Sequence, residues 1–113
     1  MGCAHMVDKY DKLVRDKIPI IIKQQGDSPK TVTLDDKRYF NALNRKLREE
    51  LDEYFEYFNI EELADIVEVI HALVKYKGLT LNEFEKIRLK KYDERGSFDA
   101  RVSLIEVERQ CTE

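Results

Sequence analysis

The stretch "EELDEYFEYFNIEELAD" (residues 49–65) places one acidic pair on each side of a short aromatic segment. Glu50 and Glu53 precede the aromatic residues, and Glu62 and Asp65 follow them. The two pairs are equidistant from the point between Tyr57 and Phe58. In two antiparallel helices joined by a turn there, residues equidistant from the turn lie at the same height. Glu53 then faces Glu62, and Glu50 faces Asp65.

The spacing of apolar residues around this stretch predicts helices on both sides of the turn. Apolar residues recur every three or four positions through residues 37–58 and again through residues 59–77. A third helix is predicted over residues 80–95, and a short one within residues 13–26. The fold class is therefore all-α, with a helical hairpin that turns near residues 57–60.

Polar residues mark the predicted helix ends. The candidate caps are Asp16, Asp35 or Asp36, Asn59 and Thr80, the last two with a glutamate three residues later, as in a capping box. Gly96 is a natural stop for the third long helix. Residues 27–36 contain a short β-like piece, and residues 101–108 alternate enough to form either a strand or an extended arm.

A helical wheel separates the acidic residues by direction. Glu62 falls inside the apolar arc of its helix, and Asp65 lies on the edge of that arc. Glu50 lies at the edge of the apolar stripe of residues 37–58, with Glu53 one step further round, whereas Glu49 points the opposite way. Acidic side chains among core positions are costly unless they are paired, protonated or bound to a metal.

Four carboxylates at the turn-side end of such a hairpin would repel one another, and a hard divalent cation would offset that repulsion. Carboxylate oxygens suit Mg²⁺ or Mn²⁺, and the absence of Cys and His from the set argues against zinc. The alternative is a solvated acidic surface, which arises easily in a chain with 38% charged residues.

Length and composition restrict the class of protein. The 113 residues are enough for one domain with a thin core. A net charge of −3 gives no basic signature for nucleic-acid binding, and no run of apolar residues is long enough to span a membrane. Cys3 and Cys111 form neither a disulfide framework nor a metal knuckle, which favours a reducing cytoplasm. Residues 1–6 resemble a cloning-derived leader, with Met6 as the natural start.

The acidic pattern Glu49-Glu50-x-x-Glu53 followed by Glu62-x-x-Asp65 resembles the all-α nucleoside triphosphate pyrophosphatase superfamily. The segments "KLVRDKIP" (12–19), "KLREELDE" (46–53), "EELADIVEVIHAL" (61–73) and "ERGSF" (94–98) resemble its small MazG-like, phosphoribosyl-ATP pyrophosphohydrolase-like branch. The likeness covers about residues 10–100, and we assign residues 7–100 to this domain. The chain departs from typical MazG proteins in having only eight residues between Glu53 and Glu62.

This resemblance implies hydrolysis between the α- and β-phosphates of a nucleotide, with release of pyrophosphate. Mg²⁺, or Mn²⁺ in its place, would be held by Glu50, Glu53, Glu62 and Asp65 and would offset charge in the transition state. Glu49 or Glu50 would orient the attacking water, although the wheel turns Glu49 outward.

Four basic residues are candidates for phosphate binding. Lys46 either reaches a phosphate or pairs with Glu50 one helical turn away. Lys86, Lys90 and Arg95 either contact polyphosphate or form a solvated basic face. Arg15 and Lys17 match the amino-terminal family motif without an assigned role.

We therefore expect a cytoplasmic, metal-dependent nucleoside triphosphate pyrophosphohydrolase that acts on NTPs or dNTPs. Pairing of two hairpins into a four-helix bundle would bury the remaining apolar stripes, so a homodimer or homotetramer is expected. Residues 101–113 would form a C-terminal arm. Two alternatives stay open: a phosphoribosyl-ATP pyrophosphohydrolase with the same metal site, and a non-catalytic helical scaffold dimer with solvated acids.

Overall fold

The computed structural model describes residues 6–111, and in these residues it contains four α-helices and no strand. Helix α1 spans Ile18–Gln24, α2 spans Asp36–Tyr57, α3 spans Ile60–Tyr76 and α4 spans Leu81–Arg95. The predicted all-α class is confirmed for this part of the chain. The predicted leader lies outside the described residues except for Met6. Within residues 6–111, every helix is too short or too polar to cross a bilayer.

Side-chain caps set the starts of the three longer helices, as the sequence predicts. Asp35 accepts a hydrogen bond of 2.9 Å from the backbone N–H of Arg38. Asn59 accepts one of 3.3 Å from the N–H of Glu62, and Thr80 forms the complete capping box with Glu83. Each cap satisfies a backbone donor that the helix itself leaves without a partner.

The predicted Asp16 cap of α1 is wrong. Residues 16 and 17 form a turn, in which the N–H of Ile18 donates to the carbonyl of Arg15 at 3.0 Å. Lys17 is the residue before the helix and makes no side-chain cap. Pro19 lies in the first turn, as predicted, where its missing N–H has no helical partner to lose.

A two-residue connection joins α2 to α3. Phe58 adopts a left-handed conformation, with φ 54° and ψ 26°, and its N–H donates to the carbonyl of Tyr54 at 2.7 Å. Asn59 follows in an extended conformation and starts α3. So short a link makes the two helices antiparallel neighbours, and they pack against each other. The predicted hairpin is therefore present.

The chain divides into two compact units. The first ends at Leu79, and the second begins at Thr80. In the described part of the first unit, α1 precedes the α2–α3 hairpin. In the second, α4 is followed by residues 96–111, which form no regular structure and are exposed. The strand alternative for residues 101–108 and the β-like piece at residues 27–36 are therefore wrong. A strand needs a partner for its backbone groups, and the described chain supplies none.

The core of the hairpin is thin. Among the described residues, the buried side chains are Leu43 from α2, Val69 and Val74 from α3, and the acidic Glu50. Other apolar side chains on the two helices stay exposed, namely those of Leu51, Phe55, Leu63 and Val67. The structure thus shows an all-helical hairpin that leaves apolar side chains exposed, and the pairing of this hairpin into a bundle stays a prediction.

Loss of the cap on α2 is expected to destabilise the hairpin. Asp35→Ala removes the acceptor for the N–H of Arg38 and should lower the free energy of unfolding by about 1 kcal/mol. Urea denaturation followed by circular dichroism measures the change. Asp27→Ala is the matched control, because Asp27 is exposed outside the helices. Equal stabilities of the two variants would contradict the role assigned to the cap.

Candidate metal centre

The hairpin brings three carboxylates together next to its core. Glu50 lies two helical turns after the buried Leu43, so both side chains face α3. Glu62 and Asp65 lie seven and four residues before the buried Val69, which places them on the face of α3 that meets α2. One carboxylate oxygen from each of Glu50, Glu62 and Asp65 lies within 4.8 Å of the other two.

Two oxygens of this group are buried without a hydrogen-bond partner: Oε2 of Glu50 and Oε2 of Glu62. Glu50 is only 6% exposed. A buried carboxylate oxygen that accepts no hydrogen bond carries a substantial desolvation cost. Carboxylate oxygens are the donors that a divalent cation such as Mg²⁺ or Mn²⁺ prefers, and a cation bound here would offset this cost.

Lys46 supplies the positive charge closest to Glu50. Its Nζ lies 3.2 Å from Oε1 of Glu50, one helical turn away, and 3.5 Å from Oε1 of Glu49. Burial alone would lower the pKa of Lys46, but the hydrogen bond to Glu50 and the charges of Glu49 and Glu50 outweigh burial and raise it. Lys46 is thus held as a cation, and its pairing with Glu50 is the contact that the structure shows.

The pKa of Glu50 is raised even though Lys46 is its partner. Burial raises its pKa, the hydrogen bond and charge of Lys46 lower it, and the charges of Glu53 and Asp65 raise it again, so the pKa lies above its usual value. The site therefore opposes ionisation of Glu50 in the absence of a further cation. A divalent ion would reverse this preference, because it favours the ionised carboxylate.

The segment before α1 contributes two basic residues. Arg15 donates from Nη2 to Oδ1 of Asp65 at 2.7 Å, and the Nζ of Lys12 lies 3.6 Å from Oε1 of Glu49. These contacts bring residues 12–15 beside the acidic group. In the sequence, the motif "KLVRDKIP" is the signal that singles out Arg15, and it predicts no role for this residue.

An open cleft of about 650 Å³ lies between this segment and the α2–α3 hairpin. Glu50 and Asp65 line it together with Arg15 and Lys46, while Leu43, Val69 and Ala72 give it an apolar floor. Tyr39 and Tyr76 also line the cleft, and their rings meet edge to face at a centroid distance of 6.0 Å. A volume of this size is typical of small-molecule sites, and about half of the residues that line this cleft are charged.

The other predicted site residues lie in different surroundings. Glu53 is half-buried and lies outside the group of three, although its charge acts on Glu50. Glu49 is half-buried and paired with Lys12 and Lys46, whereas the helical wheel predicted that it would point to solvent. The reason is that residues 12–15 cover that side of α2. Lys86, Lys90 and Arg95 are exposed on α4 in the second unit, and their contact with phosphate stays a prediction.

Comparison of the chain with known protein families, curated proteins and solved structures finds no match. The family resemblance of the motifs therefore stays a prediction, and the geometry of the cleft and its carboxylates carries the functional argument.

The raised pKa of Glu50 predicts that the folding stability of the metal-free protein depends on pH. Between the ordinary and the raised pKa, the folded state binds more protons than the unfolded state, so stability falls as pH rises through this window. Glu50→Gln should therefore raise the free energy of unfolding by about 1 kcal/mol at about pH 8, with Glu49 still paired to Lys46. The gain should shrink towards about pH 3, below the ordinary pKa, where the carboxyl is protonated in both states.

Urea unfolding in the presence of a chelator measures this gain at both pH values. Asp52→Asn makes the same kind of change on the exposed side of α2 and is the control. A Glu50→Gln effect that does not vary with pH would contradict the assigned environment of Glu50.

Proposed function

We propose that this protein is a metal-dependent nucleotide pyrophosphohydrolase of the MazG-like type. It hydrolyses an NTP or dNTP between the α- and β-phosphates and releases a nucleoside monophosphate and pyrophosphate. The observation that carries the proposal is the group of Glu50, Glu62 and Asp65, with two buried oxygens lacking partners, beside an open cleft.

The donor set supports Mg²⁺ or Mn²⁺ as the cofactor. Glu50, Glu62 and Asp65 would hold the ion through carboxylate oxygens, and Glu53 is the proposed fourth ligand. When bound, the ion supplies positive charge to the phosphate oxygens and offsets the charge that develops in the transition state.

Glu50 and its neighbour Glu49 would handle the proton of the attacking water. Glu50 lines the cleft and is the first candidate to orient that water. Glu49 is held next to it by Lys12 and Lys46 and is the second candidate to orient the water. Lys46 also lines the cleft and is the proposed contact for a phosphate oxygen.

The charges of the cleft favour a polyphosphate substrate. Its lining has four basic residues and four acidic ones, the basic set being Arg15, Lys17, Lys46 and Lys75 and the acidic set Asp16, Glu50, Asp65 and Glu68. A bound divalent cation would make this balance positive, as an anionic ligand requires. Tyr39, about 16 Å along α2 from Glu50, offers with Tyr76 an aromatic end where a nucleobase can stack.

A second copy of the chain is the proposed partner. The exposed apolar side chains of Leu51, Phe55, Leu63 and Val67 recur along both helices of the hairpin. Pairing of two hairpins would cover them and complete a four-helix bundle. We propose a cytoplasmic location, since the described Cys111 is a free and exposed thiol.

The test is pyrophosphate release from a panel of nucleoside and deoxynucleoside triphosphates, with phosphoribosyl-ATP as a further substrate. Each reaction is run with Mg²⁺, with Mn²⁺ and with chelator. We expect pyrophosphate that depends on the metal, and the ranking of the panel identifies the preferred base and sugar. Absence of pyrophosphate from every substrate would contradict the proposed activity, and release from phosphoribosyl-ATP alone would favour the histidine-pathway type of reaction.

A further inference from the structure

Arg15 reaches the acidic group from a part of the chain that is 50 residues away from Asp65 in sequence. It lies in the irregular segment before α1, and its guanidinium meets Oδ1 of Asp65 at 2.7 Å. The contact places a delocalised cation beside the carboxylates proposed to hold the metal. It also places that cation on the wall of the cleft.

The Arg15–Asp65 pair is exposed enough to be exchanged at little cost. The Arg15 side chain is 54% exposed and that of Asp65 is 37% exposed. Ion pairs at such exposure contribute little to stability, because water screens them and two side chains lose freedom. Asp65 can therefore turn to a divalent cation, and Arg15 can then turn to another anion, without a large loss to the fold.

We propose that Arg15 is a phosphate-binding residue that exchanges Asp65 for a phosphate of the nucleotide. The inference rests on the proposed function and goes further, because it assigns a ligand contact to the segment before α1. A guanidinium suits this task, since its planar fork of N–H donors matches two phosphate oxygens. A nucleotide whose phosphates lie at the carboxylate group would place them beside Arg15.

The alternative is that Arg15 only holds its segment against the hairpin. The chain contains a matched contact of that kind, because Lys12 connects the same segment to Glu49 at 3.6 Å. Lys12 does not line the cleft and does not contact Asp65. A variant of Lys12 thus weakens the attachment of the segment and leaves the proposed phosphate contact in place.

The two roles predict different effects on two ligands. If Arg15 binds phosphate, it competes with the metal for Asp65 and so weakens metal binding, but it strengthens the binding of the nucleotide. Arg15→Gln should therefore bind Mn²⁺ alone about two- to fivefold more tightly, the scale of one exposed ion pair. The same variant should bind nucleotide about 10- to 100-fold more weakly, the scale of a charge-assisted hydrogen bond.

Isothermal titration calorimetry can measure both ligands without turnover. The first titration uses Mn²⁺ alone. The second uses the α,β-methylene analogues of ATP, GTP and UTP at saturating Mn²⁺. These analogues cannot be cleaved between the α- and β-phosphates. The proteins are the wild type, Arg15→Gln, Arg15→Lys and Lys12→Gln. Arg15→Lys keeps the charge without the fork and should recover part of the nucleotide affinity, whereas Lys12→Gln should bind nucleotide within about twofold of wild type.

Opposite shifts for Mn²⁺ and nucleotide in Arg15→Gln would support the assignment. Nucleotide binding at wild-type strength in Arg15→Gln, or equal losses in Arg15→Gln and Lys12→Gln, would overturn it and leave the proposed function standing. Failure of the wild type to bind Mn²⁺ or any of the analogues would overturn the proposed function, and this inference with it.

Discussion

Asp65→Asn is expected to abolish metal-dependent pyrophosphate release, with a loss of about 10³-fold in kcat/KM. Asp65 is one of three acids whose oxygens lie within 4.8 Å of one another, and it lines the cleft. The asparagine keeps the shape of the side chain but removes its charge, so the remaining acids attract a divalent cation less strongly. Loss of several kcal/mol of charge stabilisation in the transition state corresponds to a rate loss of this size.

Steady-state pyrophosphate release measures this effect against a matched variant. Asp52→Asn makes the same chemical change on the exposed side of α2 and should retain wild-type activity. Circular dichroism establishes that both variants are folded. Retention of more than about a tenth of the activity in Asp65→Asn would contradict a catalytic metal site that includes Asp65.

Leu43→Ala is expected to lower the free energy of unfolding by about 2–5 kcal/mol. Leu43 is 1% exposed and is the only described side chain that is almost fully enclosed between α2 and α3. Its removal costs the burial of the leucine and leaves a cavity, and the few other buried side chains offer little to fill it. The hairpin that positions the acids should unfold at correspondingly lower urea concentration.

Leu104→Ala is the control for this measurement, because Leu104 is 77% exposed. It should change the free energy of unfolding by less than about 0.5 kcal/mol. Similar losses in the two variants would contradict a stability that depends on the hairpin core.

Local signals in the sequence were sufficient for the three longer helices, whereas the Asp16 cap predicted for α1 was wrong. Asp35, Asn59 and Thr80 each cap the helix that follows, because a side-chain oxygen three residues before a backbone N–H is a contact set by local geometry alone. The meeting of Glu50 with Glu62 and Asp65 across the turn could be predicted for the same reason, since a two-residue link fixes the register of two antiparallel helices, but Glu53 lies outside that group. That these acids bind a metal stays a prediction, because their geometry alone does not test it.

Contacts between distant parts of the chain could not be predicted in this way. The helical wheel directed Glu49 to solvent, but Lys12 and Lys46 enclose it, and the wheel contains no information on the path of residues 12–15. The pairing of Arg15 with Asp65 depends on the same path. Alternation in residues 101–108 suggested a strand, but pairing requires a neighbouring strand, which periodicity cannot guarantee.

The most direct test of the central claim is the thermal unfolding of the wild type titrated with Mg²⁺ and with Mn²⁺. Glu62→Gln removes one proposed ligand, and the adjacent, exposed Glu61→Gln is its control. We expect the wild type and Glu61→Gln to gain stability by mass action, by about 2.7 kcal/mol at a metal concentration a hundredfold above the dissociation constant, and Glu62→Gln to lose most of that gain. A wild type that gains no more from either metal than from monovalent salt at equal ionic strength would contradict the metal site and leave a solvated acidic surface in its place.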